Sequence, residues 1–140
     1  MALLGGAGNP VGGSFTGPAE ALELVGDRAG NVHGYAYSGV INDAGSGSAA
    51  ALALKFTSGN YYLVAELNMI TDDVVNNQHY IDVTFNGASV FKGAWDAEPY
   101  AITGPLTSLV IPSYTEVEVK WGSSADKNAT IVLTGRIYRG

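Results

Sequence analysis

The chain has 140 residues and a mass of 14.5 kDa, enough for one domain, and its lack of cysteine excludes disulfide scaffolds, thiolate metal sites and cysteine nucleophiles. Only 14% of residues are charged and the net charge is −6 with seven Lys and Arg in all, which argues against an electrostatic grip on nucleic acid. No apolar run approaches the length of a membrane span, and the opening MALLGGAGNPVGG lacks the basic start of a signal peptide.

Residues 1–30 carry Gly5, Gly6, Gly8, Gly12, Gly13, Gly17, Gly26 and Gly30, with Pro10 and Pro18 between them. Ordering such a segment costs much backbone entropy and brings little apolar area to offset it. It is expected to be an extended amino-terminal arm, with Leu3, Leu4, Val11 and Phe15 as isolated apolar anchoring points. Residues 19–25 (AEALELV) hold at most a helical turn between glycine-rich flanks.

From residue 31 to 140 the pattern alternates with a period of two. Val32–Val40 is aromatic and alternating; Leu52, Leu54 and Phe56 share a face opposite Lys55. Ser58-Gly59-Asn60 is a turn signal. Tyr61, Leu63, Ala65, Leu67 and Met69 then fall on one face and Tyr62, Val64, Glu66, Asn68 and Ile70 on the other. Residues 71–78 read as a loop. Ile81, Val83 and Phe85 alternate with Tyr80, Asp82 and Thr84, and Asn86-Gly87 predicts a tight hairpin into a short strand at 89–92. Residues 93–105 look irregular. Leu106–Ile111 is apolar, and Pro112-Ser113-Tyr114 turns the chain into a strand with Val117, Val119 and Trp121 on its inner face. Ser123–Asn128 reads as a polar turn before a last strand, Ala129–Tyr138. About eight strands with turn chemistry between them, and no helical period, predict an all-β fold: a single antiparallel β-sandwich of jelly-roll type over 31–140, with the arm at 1–30.

A run of punctuation from residue 59 onward resembles a known family. It comprises Gly59 with Tyr61 and Tyr62, the strand ending in Asn86-Gly87, the Leu-x-Ile-Pro-x-x-Thr-x-Val stretch from Leu109 to Val117, and Leu-Thr-Gly-x-Ile-Tyr from Leu133 to Tyr138. The order is similar to the globular heads of the complement and tumour-necrosis-factor-like jelly rolls, which are ten-stranded and usually trimeric. An arm joined to such a head also resembles small virion proteins of tailed bacteriophages, of the capsid-decoration or fibre-knob type. The resemblance implies a homotrimeric structural protein on the exterior of a virion, with a major capsid or other virion protein as partner. It implies no catalytic residue.

The residues themselves supply little chemistry. His33 and His79 lack the partners of a metal-ligand spacing, no G-x-S-x-G elbow is present, and Gly45-Ser46-Gly47-Ser48 lacks the Lys and Ser/Thr of a phosphate loop, so it reads as a flexible loop. Asp72 with Asp73, and Asp96 with Glu98, are loop carboxylates without the calcium-loop pattern. No catalytic, metal or cofactor residue is assigned. The aromatics carry more information: Tyr62 and Tyr80 sit with polar residues on outward faces, as do Val64, Val132 and Tyr138. Tyrosine gives contact area at low entropic cost, and outward aliphatics favour a protein interface, so Tyr62, Val64, Tyr80, Val132 and Tyr138 are the expected oligomer contacts. The alternative is a carbohydrate- or receptor-binding module that would stack a glycan on Trp95 and Tyr100.

Overall fold

The computed structural model describes residues 17–71, 77–96 and 106–138, with the side chains of residues 95 and 96 left out. Ten strands are present: β1 Glu23–Gly26, β2 Val32–Tyr37, β3 Ile41–Ala44, β4 Ala51–Thr57, β5 Tyr62–Thr71, β6 Gln78–Phe85, β7 Ala88–Asp96, β8 Thr107–Ile111, β9 Glu116–Ser123 and β10 Asp126–Tyr138. They form two antiparallel sheets. One has the order β1-β2-β10-β5-β8, with β3 pairing the first part of β10; the other runs β4-β9-β6-β7. Set aside the short β1 and β3 and the remaining eight strands, counted along the chain, run first-eighth-third-sixth in one sheet and second-seventh-fourth-fifth in the other. That is the jelly-roll order.

The alternation read from sequence is what closes the sandwich. Leu63, Ala65 and Leu67 of β5 face Ile131, Leu133 and Ile137 of β10 along one inner surface. Leu54 and Phe56 of β4, Val117, Val119 and Trp121 of β9, and Ile81 and Val83 of β6 line the other. Trp121 is fully buried at the centre of the second sheet. His79 is also fully buried and stacks on it at 6.0 Å between ring centroids, a packing role for this histidine. Buried hydroxyls tie the ends together. Ser58 Oγ donates to the Pro112 carbonyl at 2.6 Å and accepts from Thr115 N at 3.0 Å, and Ser38 Oγ accepts from Ile131 N at 2.9 Å.

The Asn86-Gly87 hairpin forms as expected, with φ of 51° and 86° at the two turn residues, the combination whose twist matches the flanking strands. Elsewhere the strands outrun the sequence reading. β7 continues through residues 93–96, β10 begins at Asp126 so that only residues 124–125 turn, and β3 was not foreseen. The sandwich also takes up part of the glycine-rich segment. Ala19 N donates to Ala53 O and Ala19 O accepts from Lys55 N, each at 2.9 Å, a parallel bridge on the free edge of β4. Residues 23–26 pair with β2 as β1, where a helical turn had been the most that the AEALELV stretch suggested.

Candidate functional site

Two surfaces stand out, one on the outside of each sheet. On the six-stranded sheet the register brings outward residues into rows. Val25, His33, Arg136, Val64 and Val110 form one row across five strands, and Glu23, Tyr35, Thr134, Glu66 and Ser108 the next. Ile70 lies further along β5 on the same face, opposite Thr130. Eight large hydrophobics are exposed among the described residues. Four of them, Val25, Val64, Ile70 and Val110, stand on this one face with exposures of 42–67%. Lone exposed aliphatics are ordinary, and four on one sheet face set it apart from the rest of the described surface.

Tyrosines thicken the same face. Tyr62 and Tyr138, opposite each other on β5 and β10, stack at 5.4 Å with 14° between planes, and the Arg136 guanidinium lies 5.3 Å from the Tyr138 ring centroid. Arg136 also donates to the Asn31 side chain. Tyr35 and Tyr37 stack at 6.0 Å along β2. Burial, then the Glu23 carboxylate and Tyr37, push the Tyr35 phenol up from its ordinary value of 10.0. A shallow depression of about 610 Å³ opens between His33, Tyr35, Val64, Glu66, Thr134 and Arg136. Along its floor Gly135 stands between Gly34 and Ala65 in register, and a Cβ at Gly135 would run into the Val64 carbonyl and Ala65. Its rim carries both Glu66 and Arg136, so the face has charges of both signs.

Of the residues expected at an oligomer contact, Tyr62, Val64, Val132 and Tyr138 come together here. Tyr80 does not join them: as a residue of β6 it lies on the outside of the four-stranded sheet. Leu3, Leu4, Val11 and Phe15 lie outside the described residues, as do Asp72, Asp73, Glu98 and Tyr100. Trp95 is placed only by its backbone, opposite His79 at the end of β7.

The outside of the four-stranded sheet is charged and mixed. Lys55 and Glu118 form an ion pair of 3.5 Å, and Asp82 stands between Lys92 and Lys120 in register. Against this sheet lies the 45–50 loop, which the sequence had suggested was flexible. It is held by Asp43, a nearly buried carboxylate. Asp43 Oδ2 accepts from Gly45 N at 3.2 Å and from Ser46 N and Ser123 N at 3.0 Å, and Oδ1 accepts from Ser46 Oγ at 2.9 Å. Burial raises the Asp43 pKa, but the donors from Ser123, Ser46 and Gly45 together outweigh it and hold the carboxyl below its ordinary 3.8. The loop then passes over Gly122, where a Cβ would coincide with the Ser48 carbonyl. Asp43 and Gly122 were missed as a pair. An Asp followed by Gly and Ser is a local turn signal, but only the fold shows that the turn closes on a glycine in β9.

His33 is exposed and its Nε2 lies 3.0 Å from Asp27 Oδ2. Among the described residues, no three His, Cys, Asp or Glu side chains are grouped so as to hold a metal ion, and no helix is long and apolar enough to cross a membrane. The arrangement defines an acidic jelly-roll sandwich with one aliphatic and aromatic sheet face and one charged, grooved face. The chain matches no family model, no curated protein and no solved structure.

Proposed function

We propose that the protein is a non-enzymatic structural subunit that assembles through the outer face of its six-stranded sheet into a homotrimer. The observation that carries this reading is the set Val25, Val64, Ile70 and Val110 on that face, interleaved with Tyr35, Tyr37, Tyr62 and Tyr138. Aliphatics left in water on a sheet gain from burial at about 25 cal/mol per Å², and around a three-fold axis one part of the face meets a different part of the next copy's, where Glu66 and Arg136 supply charges of opposite sign to fix the register. Further copies of this chain are the occupants this favours, since each brings both the apolar set and a charge of each sign.

The setting proposed is the exterior of a virion, as a bacteriophage capsid-decoration or knob subunit, with the amino-terminal arm docking on a major capsid or other virion protein. Support comes from the eight strands in jelly-roll order, from the resemblance of the turn and strand punctuation to trimeric heads, and from a net charge of −6 that keeps such a surface off nucleic acid. Three arms joined through one head raise the effective concentration for attachment.

Light scattering on the purified full chain tests the assembly. Three times 14.5 kDa is expected, and a monomer that persists at high concentration sinks the proposal. Removing residues 1–16 tests the arm while keeping Gly17 and Ala19, whose backbones bond to the sandwich. The truncated chain should trimerise and fail to decorate particles; undiminished decoration would overturn the anchoring role.

A further inference from the structure

The four-stranded sheet carries a second site, independent of the assembly surface, and Tyr80 is its centre. A groove of about 470 Å³ runs over the outside of this sheet. Its floor is Tyr80 and Asp82 on β6. One wall is the Gly47–Ala49 stretch of the loop between β3 and β4, and the other is Lys92, Gly93 and Ala94 on β7. The size lies within the usual range for small-ligand clefts.

What stands beside Tyr80 is the decisive feature. Its partners in the two neighbouring strands are Ala94 on β7 and Gly122 on β9. An outward aromatic in a sheet is normally packed by larger cross-strand neighbours. Here both are minimal: the half-buried tyrosine has room on the Ala94 side, while the loop fills the space over Gly122. The phenol donates to the Gln78 side-chain oxygen, 3.1 Å away, which restrains the ring. Glycine at 122 has a further consequence, since it lets the Ser48 carbonyl come down onto the sheet and build the wall. That wall is fixed from behind: Asp43 gathers Gly45, Ser46 and Ser123, and Gly47 N donates to Ser123 O at 3.1 Å. A wall made rigid before binding spares the ligand the cost of ordering it.

The polar groups are also placed. Asp82 lies two residues along the same face, about 7 Å from Tyr80 by strand geometry. Its Oδ1 accepts from Ser89 Oγ at 2.9 Å, which orients the carboxylate. Lys92 stands directly opposite it. The groove therefore offers an aromatic plate, an acceptor for paired hydroxyls and a cationic donor, with the Asp82 carboxylate set between Lys92 and Lys120 in register. A phosphate or carboxylate ligand would sit against the Asp82 carboxylate on the groove floor, in a chain of net charge −6. A nucleotide finds a plate, but its phosphates meet the same carboxylate. A ring with one C–H face and a rim of hydroxyls matches all three groups.

We propose that this groove binds a neutral pyranose ring, stacked on Tyr80 and hydrogen-bonded by Asp82 and Lys92. The glycan alternative, attached in the sequence to Trp95 and Tyr100, thus moves to different residues.

The test is an amide-shift titration of the full chain with the methyl glycosides of glucose, galactose and mannose and with N-acetylglucosamine, with inorganic phosphate and adenosine as further arms. At least one sugar should shift the amides of Gly47, Gly93 and Gly122 together, with millimolar affinity. Tyr80→Ala should weaken that sugar about tenfold and Tyr80→Phe should retain it, while Val40→Ala, at an exposed position outside both surfaces, changes nothing. If Tyr80→Ala loses its native spectrum, Asp82→Asn and Lys92→Met take its place and each should weaken the same sugar. No sugar response, shifts confined elsewhere, a response to phosphate or adenosine alone, or sugar binding indifferent to these variants would each overturn the proposal.

Discussion

Val64 of β5 and Val110 of β8 stand directly opposite each other on the outside of the six-stranded sheet, 42% and 61% exposed. A cross-strand valine pair facing water gains little in an isolated subunit, and Thr or Lys would satisfy the strand as well. If the face is an assembly surface, Val64→Glu combined with Val110→Glu places two charges in it. Each contact should weaken by about 2–4 kcal/mol, enough to give a 14.5 kDa species by light scattering. The fold itself should lose no more than about 1 kcal/mol, since surface changes away from caps and networks cost little. Paired mass and urea-melt measurements separate the two effects.

Asp43 makes a different kind of prediction, because it acts within one subunit. Asp43→Ala strands the amides of Gly45, Ser46 and Ser123, and of these Ser123 is fully buried. Leaving a buried donor unmet costs about 1–3 kcal/mol, so the variant should lose about 2–4 kcal/mol in a denaturant melt. Asp43→Asn keeps one acceptor oxygen and should lose about 1 kcal/mol. The pH dependence follows from the depressed carboxyl. Its stabilisation is complete above the ordinary value of 3.8 and disappears as pH falls through the lower folded value. Asn at this position should therefore flatten the acid limb of the stability profile below pH 3.8.

Asp27 is held to about 2 from an ordinary 3.8, first by its bond to His33 and next by the Asn31 amide, with the Ala29 amide adding to both. The same residue closes the β1–β2 hairpin, since Asp27 N donates to Asn31 O at 2.9 Å and Gly30 N to Asp27 O at 3.2 Å. His33→Ala should raise the Asp27 pKa part of the way toward 3.8, the two amide bonds retaining the remainder. Carboxyl carbon shifts followed through an acid titration measure this directly. The folded value lies below the unfolded one, so any contribution to stability is present above pH 3.8 and lost as pH falls toward 2.

Gly122 links the loop to the sheet. Gly122→Ala places a methyl group on the Ser48 carbonyl, and backbone is not free to swing aside like the tip of a long side chain. The loop must lift or β9 must shift, at about 1–3 kcal/mol. The amides of Ser46, Gly47 and Ser48 should then exchange faster with solvent. Unchanged exchange in this variant would mean that the loop is held by something other than Asp43 and this close approach.

The inner surfaces of the sandwich were legible because alternation is a local property. Leu63, Ala65 and Leu67, or Val117, Val119 and Trp121, announce their side of a strand wherever it pairs. The outer residues of β5 and β10 were legible for the same reason, and so Tyr62, Val64, Val132 and Tyr138 were found together. Tyr80 obeyed the same alternation, but which sheet β6 enters depends on pairing with β9 and β7 across the chain, and nothing local encodes that. β3 was hidden because Asn42 and Asp43 disfavour a strand; pairing with the start of β10 overrides them. The groove was hidden most deeply, since it needs Gly122, Ser48 and Tyr80, which are far apart in the chain, in one place.

Tyr114 has φ of 54°, in the left-handed region, and its side chain is 72% exposed. A non-glycine residue there costs about 1–2 kcal/mol, and an exposed ring recovers little of it. The backbone conformation persists because Tyr114 N donates to Gly59 O at 2.6 Å, joining the turn before β9 to the turn before β5, where Gly59 itself has φ of 80°. Asn tolerates this region better, so Tyr114→Asn should stabilise the fold by about 0.5–1 kcal/mol. Tyr114→Gly removes more strain but frees the unfolded chain, and its net gain should be no larger. Tyr114→Pro supplies the control, because proline has neither the amide nor access to positive φ, and it should cost about 3 kcal/mol. Thermal melts of the three variants check the order Asn above wild type above Pro. A destabilised Asn variant would mean that the Tyr114 ring makes a contact worth more than the strain it carries.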